Sequence, residues 1–477
     1  MKNYIIFLFV FTIVFVSRLP FLNAGYGNEQ DGWRVASVAR YIGTTGEYKA
    51  SRLPGFPIIE FACSLVWKYG AWMMNLLTAL ASAIAVGTLS LIAKHYKCKD
   101  FILLALTFAF TPIVFINSTV TMDYLWAMMF VMFSWYSAIN GKSFSSGFLL
   151  GLAIGCRITT IFMMLPFALL FFNKDQRKSS LLCIIKFWTT IVITSTFVFL
   201  PVYFSYGLDF IMKYSRDKLP SFIFIAGFVT NDLWGIVGSL AIASIPVLIL
   251  MNRRKRIHSS ILEKTSNDIN WMWVVVLILS IIGFALHPVK GAYLIPAIPF
   301  LLLVCARCLV RTQFIIICLL IILSSFIISV DSGNRPWNPK PTKFSLMLDV
   351  DGHKIIIDLR GPILNDYAKR IQRMKYIQRV INQADIFRQP SVVIVGRWLP
   401  YIIQLTPGAL PESEYTDHIL HRGNVEFVNL VNRSMLEQIQ KRGLSLWYLP
   451  TVDEHCRQAR GIDLRKEGAH EFVLSCD

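Results

Sequence analysis

The chain is organised around residues 28–34, Asn-Glu-Gln-Asp-Gly-Trp-Arg, which follow the first apolar segment. They begin a loop that ends at residues 52–57 with the sequence Arg-Leu-Pro-Gly-Phe-Pro, and further apolar segments come after it. A carboxylate at the mouth of a membrane domain lies close to lipid phosphates and is still hydrated, so ionisable residues in this setting are functional candidates. Asp31 is therefore our first candidate for a reactive group.

The composition predicts a chain with a membrane part and a water-exposed part. Of the 477 residues, 55% are hydrophobic and 16% are charged, and the mean hydropathy is +0.53. Apolar runs able to cross a hydrocarbon layer of about 30 Å recur from Tyr4 to about Val330. Residues 331–477 have a globular composition and alternate apolar strands with helical stretches. We predict a polytopic α-helical membrane domain at 1–330 and a C-terminal soluble α/β domain at 331–477.

The apolar runs predict about eleven membrane crossings. The runs lie at 4–22, 71–93, 100–117, 121–140, 145–172, 181–204, 233–251, 271–286, 291–310 and 313–330. The stretch 144–172 has two interpretations, because it fits either one long span or two short helices hinged near Cys156-Arg157. The hairpin keeps the basic residues after it in the cytoplasm, as the charge bias of membrane proteins favours.

The formal net charge of +18 lies largely in short loops between the apolar runs. Excess Lys and Arg in such loops orient a membrane protein, so we do not interpret the charge as a nucleic-acid site. The rule places the amino terminus inside and the C-terminal domain outside, and our leading hypothesis is an inner-membrane protein whose C-terminal domain lies in the periplasm. In a eukaryotic chain the same face would lie in the endoplasmic reticulum lumen. On this outer side Cys456 and Cys476 could form a disulfide.

The first outer loop carries cations on the side where the charge rule disfavours them, which requires another reason for their presence. They are Arg34, Arg40, Lys49 and Arg52. Apolar residues at helical spacing from Val35 to Ile42 predict an amphipathic helix on the membrane surface. Asp31 would lie in its first turn, where the partial positive charge of the helix end keeps a carboxylate ionised.

Three groups of polar residues share the outer face in this topology, and their convergence predicts a site at the outer membrane interface. They are Glu29 with Asp31, then Asp123, and finally His287 with Lys290. Each group has a second interpretation. Asp123 could only complement the dipole of the helix after it, Lys290 could extend to water from a helix end, and Asp31 could be a hydrated loop residue.

Two arginines also have two interpretations. Arg157 is either a phosphate contact or a partner for carbonyls at helix ends. Arg52 is either a phosphate contact or part of a rigid turn that leads into the next span.

The order of these motifs resembles the membrane-embedded GT-C glycosyltransferases, in particular the lipid A aminoarabinose transferases and the protein O-mannosyltransferases. The first outer loop has the spacing Asp-x-x-Arg-x-Ala-x-x-Ala-Arg, which begins at Asp31. Two later stretches are similar to family segments: residues 151–159, Gly-Leu-Ala-Ile-Gly-Cys-Arg-Ile-Thr, and residues 287–299, His-Pro-Val-Lys-Gly-Ala-Tyr-Leu-Ile-Pro-Ala-Ile-Pro. The chain departs from the family where many members carry an Asp-Glu pair, because Gly32 follows Asp31, and Lys290 stands near a frequent Arg.

The resemblance implies that a sugar passes from a polyprenyl-phosphate donor to a hydroxyl of a glycan, lipid or protein acceptor, with inversion. Asp31 would then be the general base and Glu29 its companion acid. Four residues would bind the donor phosphate: Arg52, Arg157, His287 and Lys290. We expect further substrate contacts from Asp123, Trp33, Arg34 and Tyr293. Oxygen atoms of Glu29, Asp31 and Asp123 could ligate a divalent cation, and the sequence leaves the metal open.

Two other functions remain open at this point. A lipid-linked glycan transporter or flippase predicts inverted repeats and ionisable residues near the bilayer midplane. A polymerase or ligase that transfers whole lipid-linked glycans would use the same acids and cations.

Overall fold

The computed structural model describes residues 2–172, 177–208, 220–258, 270–332, 337–338, 341–343, 345–350, 353–409 and 419–472. It confirms the predicted fold class, because a bundle of apolar helices is followed by a region with two β-sheets. Five helical segments are long and apolar enough to cross a membrane, and six shorter apolar segments of 10–17 residues accompany them. By length and composition, five of the about eleven predicted crossings are thus present as full spans among the described residues.

Fifteen described helices precede the sheets, and several of them end at proline or glycine. They are α1 (Asn3–Arg18), α2 (Gln30–Thr45), α3 (Pro57–Ser64), α4 (Gly70–His95), α5 (Phe101–Phe110), α6 (Pro112–Asn117), α7 (Tyr124–Ile139), α8 (Ser143–Cys156), α9 (Met164–Ala168), α10 (Arg177–Tyr206), α11 (Phe222–Gly227), α12 (Leu233–His258), α13 (Trp271–Leu286), α14 (Ile298–Cys308) and α15 (Arg311–Ser324). Pro112 separates α5 from α6, since proline cannot donate the backbone hydrogen bond that would continue the helix.

The stretch 144–172 folds as the hairpin, the second of the two interpretations. Helix α8 ends before Arg157, whose backbone is extended at φ −159° and ψ 110°. The return segment, defined as Ile158–Phe171, contains α9 between two short 3₁₀ turns. At its far end Phe171 packs against Phe187, with ring centroids 5.4 Å apart. Phe187 also lies beside Gly147 near the start of α8, so the chain has returned to the side where α8 began.

A stripe of glycines lets α8 pack closely against α10. A β-carbon at Gly151 would lie 2.6 Å from Cβ of Thr194, and one at Gly147 would lie 2.5 Å from the carbonyl oxygen of Phe187. Gly155 is equally close to Val198. Small residues at every fourth position are a common way for membrane helices to approach each other closely.

The two ends of the membrane domain differ in character. At the end of α4, Lys94 Nζ donates a hydrogen bond of 2.9 Å to Asn3 Oδ1 at the beginning of α1. At the other end of α4, Asn75 Nδ2 donates 2.9 Å to the carbonyl oxygen of Gly25 in the loop that leads to Asp31. The amino terminus and Asp31 therefore lie at opposite ends of the helical bundle.

The C-terminal region begins with a three-stranded antiparallel sheet that the sequence pattern did not predict. Its strands are β1 (Ile327–Ser332), β2 (Leu346–Val350) and β3 (His353–Arg360), in the order β1-β3-β2. The run 313–330 was predicted as a single span, but α15 ends at Ser324 and β1 begins at Ile327. The apolar residues of β1 continue the hydrophobic run of α15, so a hydropathy count does not separate them.

A second, mixed sheet forms the predicted α/β region. Its strands are β4 (Ser391–Ile394), β5 (Ile419–Arg422), β6 (Val425–Val428), β7 (Ser445–Tyr448) and β8 (His470–Glu471), in the order β5-β6-β4-β7-β8. Strand β4 pairs in parallel with β6 and β7, so that Ser391 lies opposite Val425 and Ser445. The helices of this region are α16 (Pro362–Ala384), α17 (Leu399–Leu405), α18 (Arg433–Lys441) and α19 (Val452–Arg460). Cys456 is buried, and Cys476 lies outside the described residues.

Helix α2 lies between the membrane domain and the C-terminal region. It packs against α3 on one side and α17 on the other. Val35 and Ala39 are buried in a hydrophobic cluster that also contains Tyr401 and Ile403. Arg40 Nη2 donates 2.7 Å to the carbonyl oxygen of Ile403. The expected helix is present, but protein covers it on the side that was expected to face water, because the C-terminal region packs there.

Candidate active site

Asp31 lies in the first turn of α2 and is surrounded by cations. It is 9% exposed. Its Oδ2 accepts a hydrogen bond of 2.7 Å from Lys290 Nζ, and Arg52 Nε is 3.8 Å from the same oxygen. Arg34 Nη1 lies 3.7 Å from Oδ1. Arg52 and Lys290 belong to separate segments of the chain that the fold brings to this carboxylate, whereas Arg34 lies one turn further along α2.

Asp123 is a second buried carboxylate in the same cluster. Its Oδ1 accepts 2.8 Å from Arg52 Nη2, and its Oδ2 accepts 2.5 Å from Arg157 Nη1. Its side chain makes no hydrogen bond to the start of α7. Because Arg52 contacts Asp31 and Asp123 at once, it joins the two acids into one cluster. The structure therefore gives Asp123 a role as the anion that holds both arginines.

Arg157 is held at the hinge of the hairpin by two aromatic rings. Its guanidinium carbon lies 4.3 Å from the ring centroid of Tyr124 and 4.8 Å from that of Tyr293. The His287 ring stacks on Tyr293, with centroids 5.9 Å apart. Arg157 thus has an extended backbone at the hinge, and its side chain is held in place by Asp123, Tyr124 and Tyr293.

The loop that carries Arg52 is built on Glu60, a residue that the sequence analysis missed. Glu60 is fully buried in α3, and its carboxylate accepts hydrogen bonds from the backbone N–H groups of Ser51 (2.7 Å) and Phe56 (3.1 Å) and from the Tyr48 hydroxyl (2.6 Å). Burial raises the pKa of Glu60, and the hydrogen bonds oppose this effect. The sequence feature that could have identified Glu60 is its place as a single acid within the apolar sequence Pro-Ile-Ile-Glu-Phe.

Glu29 and Lys290 form the more open side of the cluster. Glu29 is half-exposed, with its side chain at 51% of full accessibility, and it contacts Lys290 Nζ. Both residues line a cavity of about 430 Å³ between the membrane domain and α16. Lys290 thus connects Asp31 to the cavity.

Trp33 is the one predicted site residue that the structure turns away from this cluster. It is 1% exposed, its ring stacks on Tyr401 of the C-terminal region at a centroid distance of 4.2 Å, and its Nε1 donates 2.8 Å to the Gly27 carbonyl. Trp33 therefore fixes α2 against the C-terminal region.

The C-terminal region forms hydrogen bonds with the chain just before Asp31. The Asn28 carbonyl oxygen accepts hydrogen bonds from Tyr401 (2.9 Å) and from Arg373, and Asn28 Nδ2 donates 2.6 Å to Asp366 Oδ1. Nearby, Arg370 is fully buried and donates to the carbonyl oxygens of Phe21 (3.3 Å) and Thr119 (3.0 Å). These contacts tie the loops of Asp31 and Asp123 to α16. Sequence patterns did not indicate them, because cations on a soluble helix usually face water.

The cluster has more positive than negative charge. Arg34, Arg52, Arg157 and Lys290 outnumber Glu29, Asp31 and Asp123 by one. Burial raises the pKa of Asp31, but the charges of Arg52, Lys290 and Arg34 outweigh it and hold the pKa of this carboxyl well below its usual range. Burial lowers the pKa of Lys290, but its neighbours Glu29, Tyr124 and Asp31 reverse this effect and raise the pKa well above the usual value. Asp31 is therefore ionised and Lys290 protonated at neutral pH.

The acids of the cluster are arranged for cationic side chains. Asp31 and Asp123 each take basic residues as partners at short distances. Among the described residues, no group of three or more His, Cys, Asp or Glu side chains could hold a metal ion. The predicted oxygen ligands Glu29, Asp31 and Asp123 therefore do not form such a group here.

Comparison with known proteins gave one structural likeness. No protein-family model matches the chain, and no curated protein matches it. The chain is similar to the crystal structure of ArnT from Cupriavidus metallidurans in the apo state, at 14% sequence identity and a TM-score of 0.44. The match covers 64% of this chain and 58% of that chain.

Proposed function

We propose that this membrane protein is a glycosyltransferase of the GT-C type that moves a sugar from a polyprenyl-phosphate donor to an acceptor hydroxyl with inversion. The observation that carries the proposal is the contact of Asp31 with Arg52 and Lys290, which come from two separate segments, and with Arg34 of its own helix. The site would open to the periplasm from the inner membrane, or to the lumen of the endoplasmic reticulum.

The excess positive charge suits a phosphate leaving group. A prenyl phosphate carries a second pKa of about 6, so its departure requires neutralisation of charge more than protonation. Arg52 Nη1 is buried and has no hydrogen-bond partner among the described residues. An N–H group left in this state favours an incoming acceptor atom such as a phosphate oxygen. Arg157, His287 and Lys290 would complete the phosphate contacts.

The ion pairs of Asp31 describe the free protein, and the donor would rearrange them. An arriving phosphate competes with Asp31 for Lys290 and Arg52, because both anionic groups accept hydrogen bonds from the same N–H donors. Release of these cations raises the pKa of Asp31 toward its ordinary value and makes it a better base. Asp31 would then take the proton of the acceptor hydroxyl as the oxygen attacks the anomeric carbon. Glu29 would support this step from the open side.

The substitution Asp31→Asn tests the proposal. The carboxamide keeps the shape but cannot take the proton, so we expect the rate of sugar transfer to fall by roughly 10² to 10⁴. Loss of one negative charge should leave binding of the prenyl-phosphate donor intact or tighter. Purified protein in nanodiscs would be incubated with lipid-linked sugars extracted from the host membrane, and released prenyl phosphate would be measured by mass spectrometry.

Asp100→Asn is the matched control, because Asp100 pairs with Arg311 at the opposite end of the membrane domain. It should transfer sugar like the wild type. Wild-type transfer by the Asp31→Asn protein would remove Asp31 as the base. Mass spectrometry of surface glycans from a deletion strain would separate the loss of one sugar from the loss of a polymer.

A further inference from the structure

We propose that the cavity between α16 and the membrane domain is the acceptor subsite and that it takes an uncharged, hydroxyl-rich sugar. This inference rests on the proposed function and adds the chemical class of the acceptor. The cavity measures about 430 Å³, which falls in the range of roughly 300–1,000 Å³ that is usual for ligand sites.

The position of the cavity relates it to the reactive carboxylate. Glu29 and Lys290 lie in its wall, and Lys290 Nζ is 2.7 Å from Asp31 Oδ2. A hydroxyl at this end of the cavity would be separated from Asp31 only by the Lys290 ammonium group. When the donor phosphate draws Lys290 away, the hydroxyl gains access to the base.

The two walls of the cavity differ in chemistry. Helix α16 contributes Asn365, Asp366, Lys369 and Arg373, which recur at helical spacing and form one polar face. The other elements contribute apolar side chains such as Ile116 and Phe228, with polar ones such as Asn117 and Asp232 among them. A sugar ring matches both walls, since its hydroxyl groups donate and accept hydrogen bonds and its C–H face packs on apolar side chains.

The charges in the wall balance, in contrast to those around Asp123. The acids Glu29, Asp232 and Asp366 equal in number the cations Lys290, Lys369 and Arg373. Several of these groups already have partners: Lys369 pairs with Asp331 at 2.8 Å, and Asp366 accepts from Asn28. A wall of this kind offers both donors and acceptors but no net attraction for a phosphorylated acceptor. The positive cluster thus favours the phosphate of the donor, whereas the neutral cavity favours an uncharged acceptor.

One unpaired atom in the wall indicates what a ligand would offer. Asn28 Oδ1 is buried and has no hydrogen-bond partner among the described residues, although Asn28 lines the cavity. A carbonyl oxygen in this state requires a donor. A sugar hydroxyl provides one, whereas an ionised phosphate provides only acceptors.

The test measures sugar binding to the full chain in nanodiscs without any donor. Saturation-transfer NMR would compare neutral oligosaccharides (cellotetraose, chitotetraose, maltotetraose and mannotetraose) with glucose 6-phosphate and mannose 6-phosphate. We expect at least one neutral oligosaccharide to bind. Ile116→Trp should fill the cavity, and Lys369→Leu should remove a hydrogen-bond donor, so each should weaken neutral-sugar binding by about tenfold or more. Phosphorylated sugars, if they bind at the Arg52 cluster, should be unaffected.

Lys375→Leu and Ile193→Trp are the matched controls, since Lys375 is exposed on α16 and Ile193 is exposed on α10. Both should bind neutral sugars like the wild type. The proposal is overturned if no neutral sugar binds the wild type, or if such binding survives both Ile116→Trp and Lys369→Leu. Full sugar transfer by Asp31→Asn with loss of neutral-sugar binding in Ile116→Trp would remove the proposed function and leave a saccharide site. Loss of sugar transfer by Asp31→Asn, with neutral-sugar binding retained in both Ile116→Trp and Lys369→Leu, would remove the saccharide site alone.

Discussion

At the residue scale, the main feature is that Asp31 stays ionised although its side chain is almost buried. Its 9% exposure would normally penalise ionisation, and three cations reverse that penalty. A carboxylate in this state is a weak proton acceptor until a ligand removes some of the cations. In the proposed reaction, these contacts would link binding of an anionic donor to activation of Asp31 as the base.

The first prediction concerns the pH dependence of the reaction. A carboxyl whose pKa is lowered on folding contributes stability above its ordinary pKa of about 3.9 and loses that contribution only as the pH falls below it. Asp31 is thus ionised throughout pH 5 to 8 in the free protein. We expect kcat/KM to show no acid limb from Asp31 in this interval, and the acid limb of kcat to lie at higher pH than that of kcat/KM.

Initial rates between pH 4 and 8 check this order of the two limbs. Lys290→Gln provides the comparison, since loss of this cation raises the pKa of Asp31 and should shift the acid limb of kcat/KM upward. An acid limb of kcat/KM that lies above that of kcat in the wild type would contradict the partner exchange.

The second prediction concerns Glu60. Glu60→Gln replaces an oxygen that accepts hydrogen bonds by an NH₂ group that faces N–H or O–H donors from Ser51, Phe56 or Tyr48. We expect the free energy of unfolding to fall by about 1–3 kcal/mol, and donor affinity to fall because the Arg52 loop shifts. Thermal unfolding and donor binding measure the two effects. Glu47→Gln, in the exposed part of the same loop, should change neither.

At the element scale, the hairpin matters for the site because its hinge places Arg157 beside Asp123. The third prediction tests how α8 is held. Gly151→Ala places a methyl group 2.6 Å from Cβ of Thr194, so the helices must separate. We expect a lower midpoint of thermal unfolding. Gly283→Ala in α13 is the control, because its methyl group meets only one atom at 3.9 Å, and the alanine should be neutral or stabilising by up to about 1 kcal/mol. Equal midpoints for the two variants would contradict the close packing of α8.

Sequence reasoning succeeded for elements whose signal is local. Apolar runs of sufficient length indicated the membrane segments, and short apolar stretches that alternate with helical ones in 331–477 indicated the α/β region that contains β4, β6 and β7. It did not find β1, whose residues prolong the apolar run of α15, or β2 and β3, of which β3 pairs with both β1 and β2. It could not choose between a span and a hairpin for 144–172, because both have the same composition.

For the site, loop position and charge were enough to select Asp31, Asp123, Arg52, Arg157 and Lys290, which the structure brings into one network. Trp33 lies in the same loop but faces the C-terminal region. Glu60 and Arg370 were missed because both bind backbone groups of loops: Glu60 holds the loop just before its own helix, and Arg370 holds two distant carbonyls. Such partners leave no periodic pattern in the sequence.

At the scale of the whole molecule, the two regions share a hydrophobic cluster and a set of buried hydrogen bonds. The fourth prediction tests this coupling through Arg370. Arg370→Met removes the hydrogen-bond donor of the Phe21 and Thr119 carbonyls and the cation that pairs with Asp366 Oδ2. We expect stability to fall by roughly 3–5 kcal/mol, and hydrogen exchange in residues 25–31 to rise.

Hydrogen-exchange mass spectrometry and thermal unfolding measure these changes. Arg379→Met, on an exposed position of α16, is the control and should match the wild type. Unchanged exchange in residues 25–31 for Arg370→Met would show that α16 does not order the loop of Asp31.

The hold of Arg373 and Tyr401 on the Asn28 peptide also bears on how such a protein can change over evolution. A hybrid chain with a foreign C-terminal region would lose both donors to a main-chain oxygen only three residues before Asp31. Swapping or trimming that region should therefore disable the molecule even if each half folds. In the proposed glycosyltransferase, new acceptor preferences would have to arise by gradual substitution on the existing surface, with the anchoring positions 373 and 401 conserved.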